Sequence, residues 1–254
     1  MKTFVTRIFS KFGYELNLRK WSEVPGDIGD KDFEEIFYKC KDYTMTQVYR
    51  MYSLYMATRY ISMNNIKGDF VECGVWRGGS AMLSAHALMD LQDTSRDFYL
   101  YDTYEGMSEP TEKDKSWKYD SVKDLWQKSK KNGVSDWCYA GLDEVKDNLY
   151  KTGYPKERFK FIKGKVENTI PATIPQSISL LRLDTDWYES TKHELIHLYP
   201  RLNDNGILII DDYGYWKGCR QAVDEYFTYL NEHILLNRID YTGRIAIKTS
   251  NKGY

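Results

Sequence analysis

The sequence predicts an α/β fold built around a mostly parallel β-sheet. Short apolar segments alternate with longer helical patterns from residue 69 onward, and this alternation is typical of parallel strands joined by crossover helices. A glycine-rich turn follows the first apolar segment, and acidic residues end or follow three others. The 254 residues suffice for one such domain with additions, but not for two large domains.

Five apolar segments are predicted as the parallel strands, at 69–72, 98–102, 159–162, 178–183 and 206–210. Helices are predicted at 80–91, 142–150, 190–202 and 218–231. Two late strands are predicted near 234–239 and 245–249. In sheets of this kind, ligands bind beyond the carboxyl ends of the strands, where the strand order reverses. We therefore look for functional residues directly after the strands.

The first 64 residues are predicted as a helical cap on a domain at 65–254. A helix is predicted at 45–64, with Thr44 in the N-cap position. Apolar residues at helical spacing in 4–12 indicate a short amphipathic helix that packs, contacts a second subunit or touches a membrane loosely. That segment lacks the pattern of a signal peptide, and no apolar run reaches the roughly 18 residues of a membrane span. We expect a cytoplasmic protein without stable membrane insertion.

The charge balance argues against nucleic acid as a partner. The chain has 36 basic and 37 acidic residues, for a formal net charge of -1, so no bulk electrostatic attraction to a polyanion is expected. A small molecule or a glycan is the expected partner. Aromatic residues make up 15% of the chain, and such rings can stack on sugars or adenine, although most fill a core.

A glycine-rich loop follows the first predicted strand. It begins at Glu72, has glycines at Gly74, Gly78 and Gly79, and ends at Ser80. The Gly-x-x-x-Gly-Gly spacing differs from the Gly-x-Gly-x-x-Gly of dinucleotide-binding proteins. A carboxylate at the strand end repels a pyrophosphate but attracts an ammonium group, so the loop favours a nucleoside that carries an amino acid. The alternative is a tight turn with only a structural role.

Asp102 ends the second predicted strand, about 30 residues after Glu72. An acid at this position accepts hydrogen bonds from the ribose hydroxyls of an adenosine cofactor. The alternative is that Asp102 stabilises a turn or caps a helix.

Four carboxylates follow the fourth and fifth predicted strands. Asp184 and Asp186 follow one, and Asp211 and Asp212 follow the other. Gathered at one sheet edge without a counterion, these acids would repel one another. A hard divalent cation with oxygen ligands, Mg²⁺ first, resolves that repulsion. It would lower the pKa of a bound alcohol, and a free carboxylate would remove the proton. The alternative is that each acid caps a helix.

Other residues near the predicted site can have either a functional or a purely structural role. The segment 107–137 interrupts the alternation on the ligand side of the sheet, and is either a lid or a surface excursion. Trp187 and Tyr188 flank the acids and either stack on a sugar ring or fill the core. Arg182, inside the fourth predicted strand, is expected to pair with an acid.

Taken together, these motifs resemble the macrocin O-methyltransferase (TylF) family of S-adenosylmethionine-dependent sugar O-methyltransferases. The resemblance covers residues 43–227 and rests on the motifs at 43–45, 72–79, 102–106, 153–158, 182–191 and 206–214. The sequence departs from the family pattern in two places. Thr103-Tyr104 stands where the family usually has Ser-Phe, which is a mild change, and Asn168 replaces an Asp in the motif on the adenine side.

The resemblance implies a class I methyltransferase fold, which is a Rossmann-like, mostly parallel sheet of seven strands with an antiparallel last strand, here with a helical N-terminal cap. It implies S-adenosylmethionine and Mg²⁺ as cofactors. Residues 72–80 would hold the methionine portion, Asp102 the ribose, and Val166 and Glu167 the adenine side. The cofactor-binding residues it implies are Thr44, Met45, Glu72, Gly74, Trp76, Arg77, Gly79, Ser80, Asp102, Thr103, Gly106, Val166, Glu167 and Asp184.

The same resemblance implies that Asp184, Asp211 and Asp212 bind Mg²⁺ and that Asp186 is the catalytic base. The expected activity is methyl transfer to a sugar hydroxyl of a glycosylated metabolite or polysaccharide precursor, by a homo-oligomer. Two alternatives stay open: a metal-dependent O-methyltransferase that acts on catechol-type phenols, and a non-catalytic S-adenosylmethionine-binding protein.

Overall fold

The computed structural model describes residues 23–119, 121–131 and 134–250, so the amphipathic helix predicted at 4–12 lies outside the described residues. The strands are β1 (Asp69–Cys73), β2 (Phe98–Asp102), β3 (Lys130–Lys131), β4 (Val134–Ser135), β5 (Phe159–Lys163), β6 (Ile178–Leu183), β7 (Leu202–Ile210), β8 (Asn237–Arg238) and β9 (Arg244–Ile247). Strands β3 and β4 form a separate two-stranded sheet.

The main sheet has seven strands in the order β5-β2-β1-β6-β7-β9-β8. Strands β5, β2, β1, β6 and β7 are parallel, and β9 runs antiparallel to β7. The strand order reverses between β1 and β6, which makes the carboxyl edge there the expected place for a ligand. The predicted fold class is therefore confirmed, including the antiparallel last strand.

The α-helices are α1 (Lys31–Cys40), α2 (Val48–Met63), α3 (Gly79–Asp90), α4 (Val122–Lys128), α5 (Leu142–Tyr150), α6 (Val166–Thr169), α7 (Tyr188–Leu198) and α8 (Lys217–Leu230). Among the described residues, no helix is long and apolar enough to cross a membrane.

The predicted start of α2 was wrong. The helix begins at Val48, with Gln47 as its N-cap, so Thr44 does not cap it. Instead, the hydroxyl oxygen of Thr44 accepts a hydrogen bond from the backbone N–H of Thr46 at 3.0 Å. A threonine side chain can close such a local turn in competition with helix capping, and the turn keeps Thr44 in an extended segment before the helix.

Both faces of the sheet are covered by apolar layers. Phe70 of β1 belongs to the layer that also contains residues of α1, α2, α3 and α5. The next residue, Val71, belongs to the layer on the other face, with residues of α7 and α8. Because successive side chains in a strand point to opposite faces, strands buried on both sides must be mostly apolar, and a buried charge such as Glu72 or Arg182 requires a partner. This explains why the parallel strands are mainly apolar segments in the sequence.

Candidate active site at the carboxyl edge of the sheet

A cavity of about 530 Å³ opens at the carboxyl edge, beside the ends of β1, β2, β6 and β7. It brings together most of the predicted site residues. Those that line it are Thr44, Met45, Gly74, Trp76, Ser80, Asp102, Thr103, Gly106, Val166, Glu167, Asp184, Asp186, Asp211 and Asp212.

Three predicted cofactor-binding residues, Glu72, Arg77 and Gly79, do not line the cavity. The Arg77 side chain donates hydrogen bonds to Glu144 and to the carbonyl oxygen of Asp42. A Cβ added to Gly79 would lie 2.6 Å from the Tyr43 carbonyl oxygen. Arg77 and Gly79 therefore hold the segment before Thr44 against the loop rather than facing the cavity.

Glu72 is 1% exposed, and one of its carboxylate oxygens accepts a hydrogen bond from Nη1 of Arg182 at 2.7 Å. Among the described residues, its other oxygen, Oε2, is buried without a hydrogen-bond partner. Burial raises the pKa of Glu72 to about 8, against the opposing effect of Arg182. The strand-end carboxylate thus has an internal cation as its partner, which the sequence analysis did not foresee.

Asp102 organises the glycine-rich loop. Its Oδ2 accepts hydrogen bonds from the backbone N–H groups of Val75 and Trp76, at 2.7 and 3.0 Å. Its Oδ1 accepts one from the N–H of Tyr104 at 2.7 Å. Burial raises the pKa of Asp102, and these three donors oppose that rise. Asp102 lines the cavity and fixes the loop at the same time, so its role toward a ribose stays a prediction.

The two acid-bearing loops meet because β6 and β7 are neighbours, with Leu183 opposite Ile210. We call Asp184, Asp186, Asp211 and Asp212 the acid cluster. One carboxylate oxygen from each of Asp184, Asp211 and Asp212 lies within 4.8 Å of the others. The convergence of these strand-end acids, which the strand pattern predicted, is present in the structure.

Two arginines neutralise part of the acid cluster. Arg182, 2% exposed, donates to Asp184 at 2.7 Å and to Asp211 at 2.9 Å, so its predicted pairing with acids is confirmed. Arg50 of α2 pairs with the other oxygen of Asp211 and, at 3.1 Å, with Asp240. In the described part of the chain, the two guanidinium groups pair with four carboxylates, those of Glu72, Asp184, Asp211 and Asp240, and with neither Asp186 nor Asp212.

Burial beside other acids raises the pKa values of Asp184, Asp186 and Asp212. Burial, offset in part by Arg182, raises the pKa of Asp184 to about 6. Burial and the charge of Asp184 raise the pKa of Asp186 to about 8. The pKa of Asp212 is also raised, by burial and by neighbouring acids. The arrangement therefore favours a further cation, and its oxygen-only donor set suits Mg²⁺.

The alternative that these acids cap helices does not describe the structure. Helices α7 and α8 begin after Trp187 and Trp216, neither of which forms a side-chain capping hydrogen bond. The acid cluster faces the cavity instead.

Asp186 has an unusual backbone conformation. Its φ of 64° lies in the left-handed region, which non-glycine residues adopt rarely and Asp or Asn more readily than most. Its backbone N–H donates to Oδ2 of Asp212 at 3.2 Å. Such conformations persist where the surrounding structure imposes them, and they concentrate at functional sites. The geometry thus singles out Asp186 from the rest of the acid cluster.

Aromatic rings form the wall beyond the acids. Trp187 lines the cavity and packs edge-on against Trp216, with ring centroids 5.1 Å apart. Tyr188 is buried outside the lining, where its hydroxyl group donates to Glu225, so core packing describes it. Tyr119 and Trp137 line the cavity from the insertion at 107–137, which was predicted to lie on the ligand side of the sheet. Lining residues that no sequence motif indicated include Arg50, Tyr215, Trp216, Tyr241 and Thr242.

The strand order, the glycine-rich loop after β1 and the cavity at the carboxyl edge define the class: a Rossmann-like α/β fold of the class I O-methyltransferases. The chain belongs to the macrocin-O-methyltransferase (TylF) family, whose family model matches residues 38–247. The protein is accordingly an S-adenosylmethionine-dependent O-methyltransferase.

Relatives of known name are about 30% identical to this chain over the aligned residues. An 8-demethyl-8-(2,3-dimethoxy-alpha-L-rhamnosyl)-tetracenomycin-C 4'-O-methyltransferase from Streptomyces olivaceus is 32% identical over 201 residues, covering 79% of this chain and 74% of the relative. Demethyldecarbamoylnovobiocin O-methyltransferase from Streptomyces niveus is 30% identical over 199 residues, or 77% and 73%. The structure of the O-methyltransferase NovP superposes with a TM-score of 0.71 at 28% identity, covering 82% of this chain and 83% of NovP.

A Gly74→Ala substitution is expected to weaken S-adenosylmethionine binding at least about tenfold, which corresponds to 1.4 kcal/mol. A Cβ at Gly74 would lie 2.0 Å from the Asp184 carbonyl oxygen, so the loop must move away from β6. Isothermal titration calorimetry with S-adenosylmethionine measures the change.

Gly153→Ala is the matched control for this substitution. Gly153 has a similar φ of +80°, against +85° at Gly74, but a Cβ there would meet nothing within 4 Å. Both variants carry the same backbone strain, and only Gly74→Ala adds the clash. Equal affinities for the two variants would contradict the close approach of the loop to β6.

Proposed function

We propose that this enzyme transfers a methyl group from S-adenosylmethionine to a sugar hydroxyl of a glycosylated metabolite or polysaccharide precursor, with Mg²⁺ held by the acid cluster. The observation that carries the proposal is the single cavity lined by both the glycine-rich loop and the acid cluster. The Streptomyces olivaceus relative, whose name describes a rhamnosyl-bearing compound, supports the sugar.

The cavity residues fit the proposed cofactor. Its volume of about 530 Å³ is within the roughly 300–1,000 Å³ range of ligand pockets. Gly74, Trp76 and Ser80 would hold the methionine portion. On the adenine side, the hydroxyl group of Ser190 donates to Glu167 at 2.7 Å and fixes its orientation. When bound, S-adenosylmethionine supplies an electrophilic methyl group, which the acceptor oxygen takes as the carbon–sulfur bond breaks.

The acid cluster fits the proposed cation. Asp184, Asp211 and Asp212 offer oxygen atoms close enough to share one ion, and the local excess of carboxylates favours a divalent charge. When bound, Mg²⁺ supplies a Lewis acid that makes a hydroxyl group easier to deprotonate. Arg182 and Arg50 hold Asp211 in place, with one guanidinium group on each of its oxygens.

Asp186 is proposed as the base that accepts the hydroxyl proton on its carboxylate. It lines the cavity beside the three proposed ligands. Its backbone conformation and the hydrogen bond from its N–H to Asp212 fix its position. Burial raises the pKa of Asp186, and its ionised carboxylate is therefore a stronger proton acceptor than that of an ordinary aspartate.

Residues 1–64 are proposed as a helical cap, 65–254 as the catalytic domain and 107–137 as a lid. Thr44 and Met45 line the cavity from the segment before α2, and Met45 is 57% exposed. Met107, Ser108, Tyr119 and Trp137 line it from the insertion. Both segments therefore complete the wall of the site. A homo-oligomeric state and a cytoplasmic location stay predictions.

Mass spectrometry of methyl transfer tests the proposal. With isotopically labelled S-adenosylmethionine, a panel of glycosides is expected to gain one labelled methyl group in the presence of Mg²⁺, and catechols none. Methylation of the catechols alone would replace the sugar by a phenol as acceptor. Binding of S-adenosylmethionine without transfer to any acceptor would contradict the proposed activity.

A further inference from the structure

A buried carboxylate connects the insertion to the site. Asp114 is 3% exposed. Its Oδ1 accepts a hydrogen bond from the backbone N–H of Tyr188 at 2.7 Å. Its Oδ2 accepts two from Thr111, from the backbone N–H at 2.7 Å and from the hydroxyl group at 2.8 Å. Asp114 thus bonds to its own segment with one oxygen and to α7 with the other.

The contact with α7 lies next to the proposed base. Tyr188 is the first residue of α7 and stands two residues after Asp186. The first N–H groups of a helix have no partner within the helix, and they attract negative charge. Since the side chain of Trp187, the N-cap residue, forms no capping hydrogen bond, the carboxylate of Asp114 caps α7 from a distant part of the chain.

The same carboxylate lies against α8. A Cβ added to Gly218, in the first turn of α8, would lie 2.7 Å from Oδ1 of Asp114. The neighbouring Lys217 donates its backbone N–H to the carbonyl oxygen of Lys115 at 2.8 Å. Helix α8 follows the loop that carries Asp211 and Asp212. Asp114 therefore lies between the two helix starts that follow the two pairs of acids.

A second contact joins the insertion to the Asp186 loop. The indole N–H of Trp187 donates to the carbonyl oxygen of Ser108 at 3.1 Å. Residues 108–116 therefore contact the residue after Asp186 as well as the start of α7. This part of the insertion supports the loop that carries Asp186.

We propose that Asp114 is a positioning residue for methyl transfer. It holds the Asp184–Asp186 loop and the Asp211–Asp212 loop at the separation that the reaction requires, without touching substrate or cofactor. The inference rests on the proposed function for the tasks of those acids. A displacement of about 1 Å in such a constellation can lower a rate about 100-fold.

Asp114→Ala is expected to lower kcat by about 10- to 100-fold, with the affinity for S-adenosylmethionine unchanged. Hydrogen exchange of the Tyr188 amide, followed by mass spectrometry, is expected to become faster because its acceptor is gone. Asp114→Asn keeps an oxygen for this amide and is expected to recover most of the activity. Asp124→Ala is the control: this aspartate is exposed on α4 of the same insertion, and kcat should stay at the wild-type value.

Gly218→Ala provides a test that keeps the carboxylate. The added methyl group displaces Asp114 from α8, while alanine is a good helix former, so a folded protein with lowered kcat is expected even if Asp114→Ala does not fold. Wild-type kcat in Gly218→Ala, or wild-type exchange at Tyr188 in Asp114→Ala, would overturn the inference. If the wild-type enzyme methylates no glycoside, the proposed function fails. The hydrogen exchange of the Tyr188 amide requires no methyl acceptor, so it still decides whether Asp114 anchors α7.

Discussion

Replacement of Asp186 by Asn is expected to reduce methyl transfer by about 10²- to 10⁴-fold, the range typical of general base catalysis, while binding of S-adenosylmethionine is kept. The amide cannot accept a proton. Asn tolerates the left-handed backbone as Asp does, so the φ of 64° and the backbone hydrogen bond to Asp212 should be retained. Single-turnover kinetics measure the chemical step, and calorimetry measures cofactor affinity.

Asp204→Asn is a suitable control for Asp186→Asn. It makes the same chemical change at an exposed residue near the start of β7, away from the carboxyl edge. We expect wild-type turnover from this control. Normal single-turnover rates in Asp186→Asn would show that another group removes the proton.

Removal of divalent cations is expected to lower turnover by about 100-fold or more, because the loss of one preorganised electrostatic contact at a reacting oxygen typically costs about 10²- to 10³-fold. Dialysis against EDTA, followed by titration with Mg²⁺, measures the loss and its recovery. Full turnover in EDTA would contradict the proposed metal site.

Asp212→Asn tests the metal ligands with the least disturbance of the fold. The alternative target, Asp211, pairs with both Arg182 and Arg50, and breaking a buried ion pair costs about 3–5 kcal/mol. An Asn at 212 still offers an oxygen to the N–H of Asp186. Mn²⁺ binding, followed by electron paramagnetic resonance, is expected to weaken at least about tenfold. Unchanged Mn²⁺ affinity in this variant would remove Asp212 from the ligand set.

The sheet was predictable because buried parallel strands are mainly apolar segments. The bounds of β2 and β6 match their predicted ranges. Strand β7 begins at Leu202, four residues before its predicted start, because the polar residues Asn203, Asp204 and Asn205 separate this buried leucine from the apolar segment at 206–210. A pattern based on burial cannot detect such a polar start.

The acid cluster was predictable from sequence because the carboxyl ends of parallel strands meet at one edge of the sheet. Of its two arginine partners, Arg182 was predictable and Arg50 was not. Arg182 lies in a strand between the acids. Arg50 contacts Asp211 across 161 residues, and local spacing does not reveal such a contact. One available signal was that Arg50 continues the face of α2 that buries Leu54, Ala57 and Ile61. A charge on an apolar helix face requires a buried partner.

The insertion was predictable as a departure from the strand and helix alternation, but its attachment was not. Asp114 contacts a backbone amide 74 residues away, and a backbone amide carries no sequence signature. Gly218 was an indirect signal, because its lack of a side chain makes room for that carboxylate.

The two ion pairs of Arg50 have a consequence for synthesis on the ribosome. Arg50 contacts Asp240, which is 190 residues away in the sequence. Asp240 in turn accepts hydrogen bonds from the backbone N–H groups of Thr242 and Gly243. A nascent chain that has emerged from the ribosome as far as α2 but not yet to Asp240 lacks at least one of the two acidic partners of this guanidinium group. The wall of the cavity that contains Thr242 can therefore form only after most of the chain has been translated.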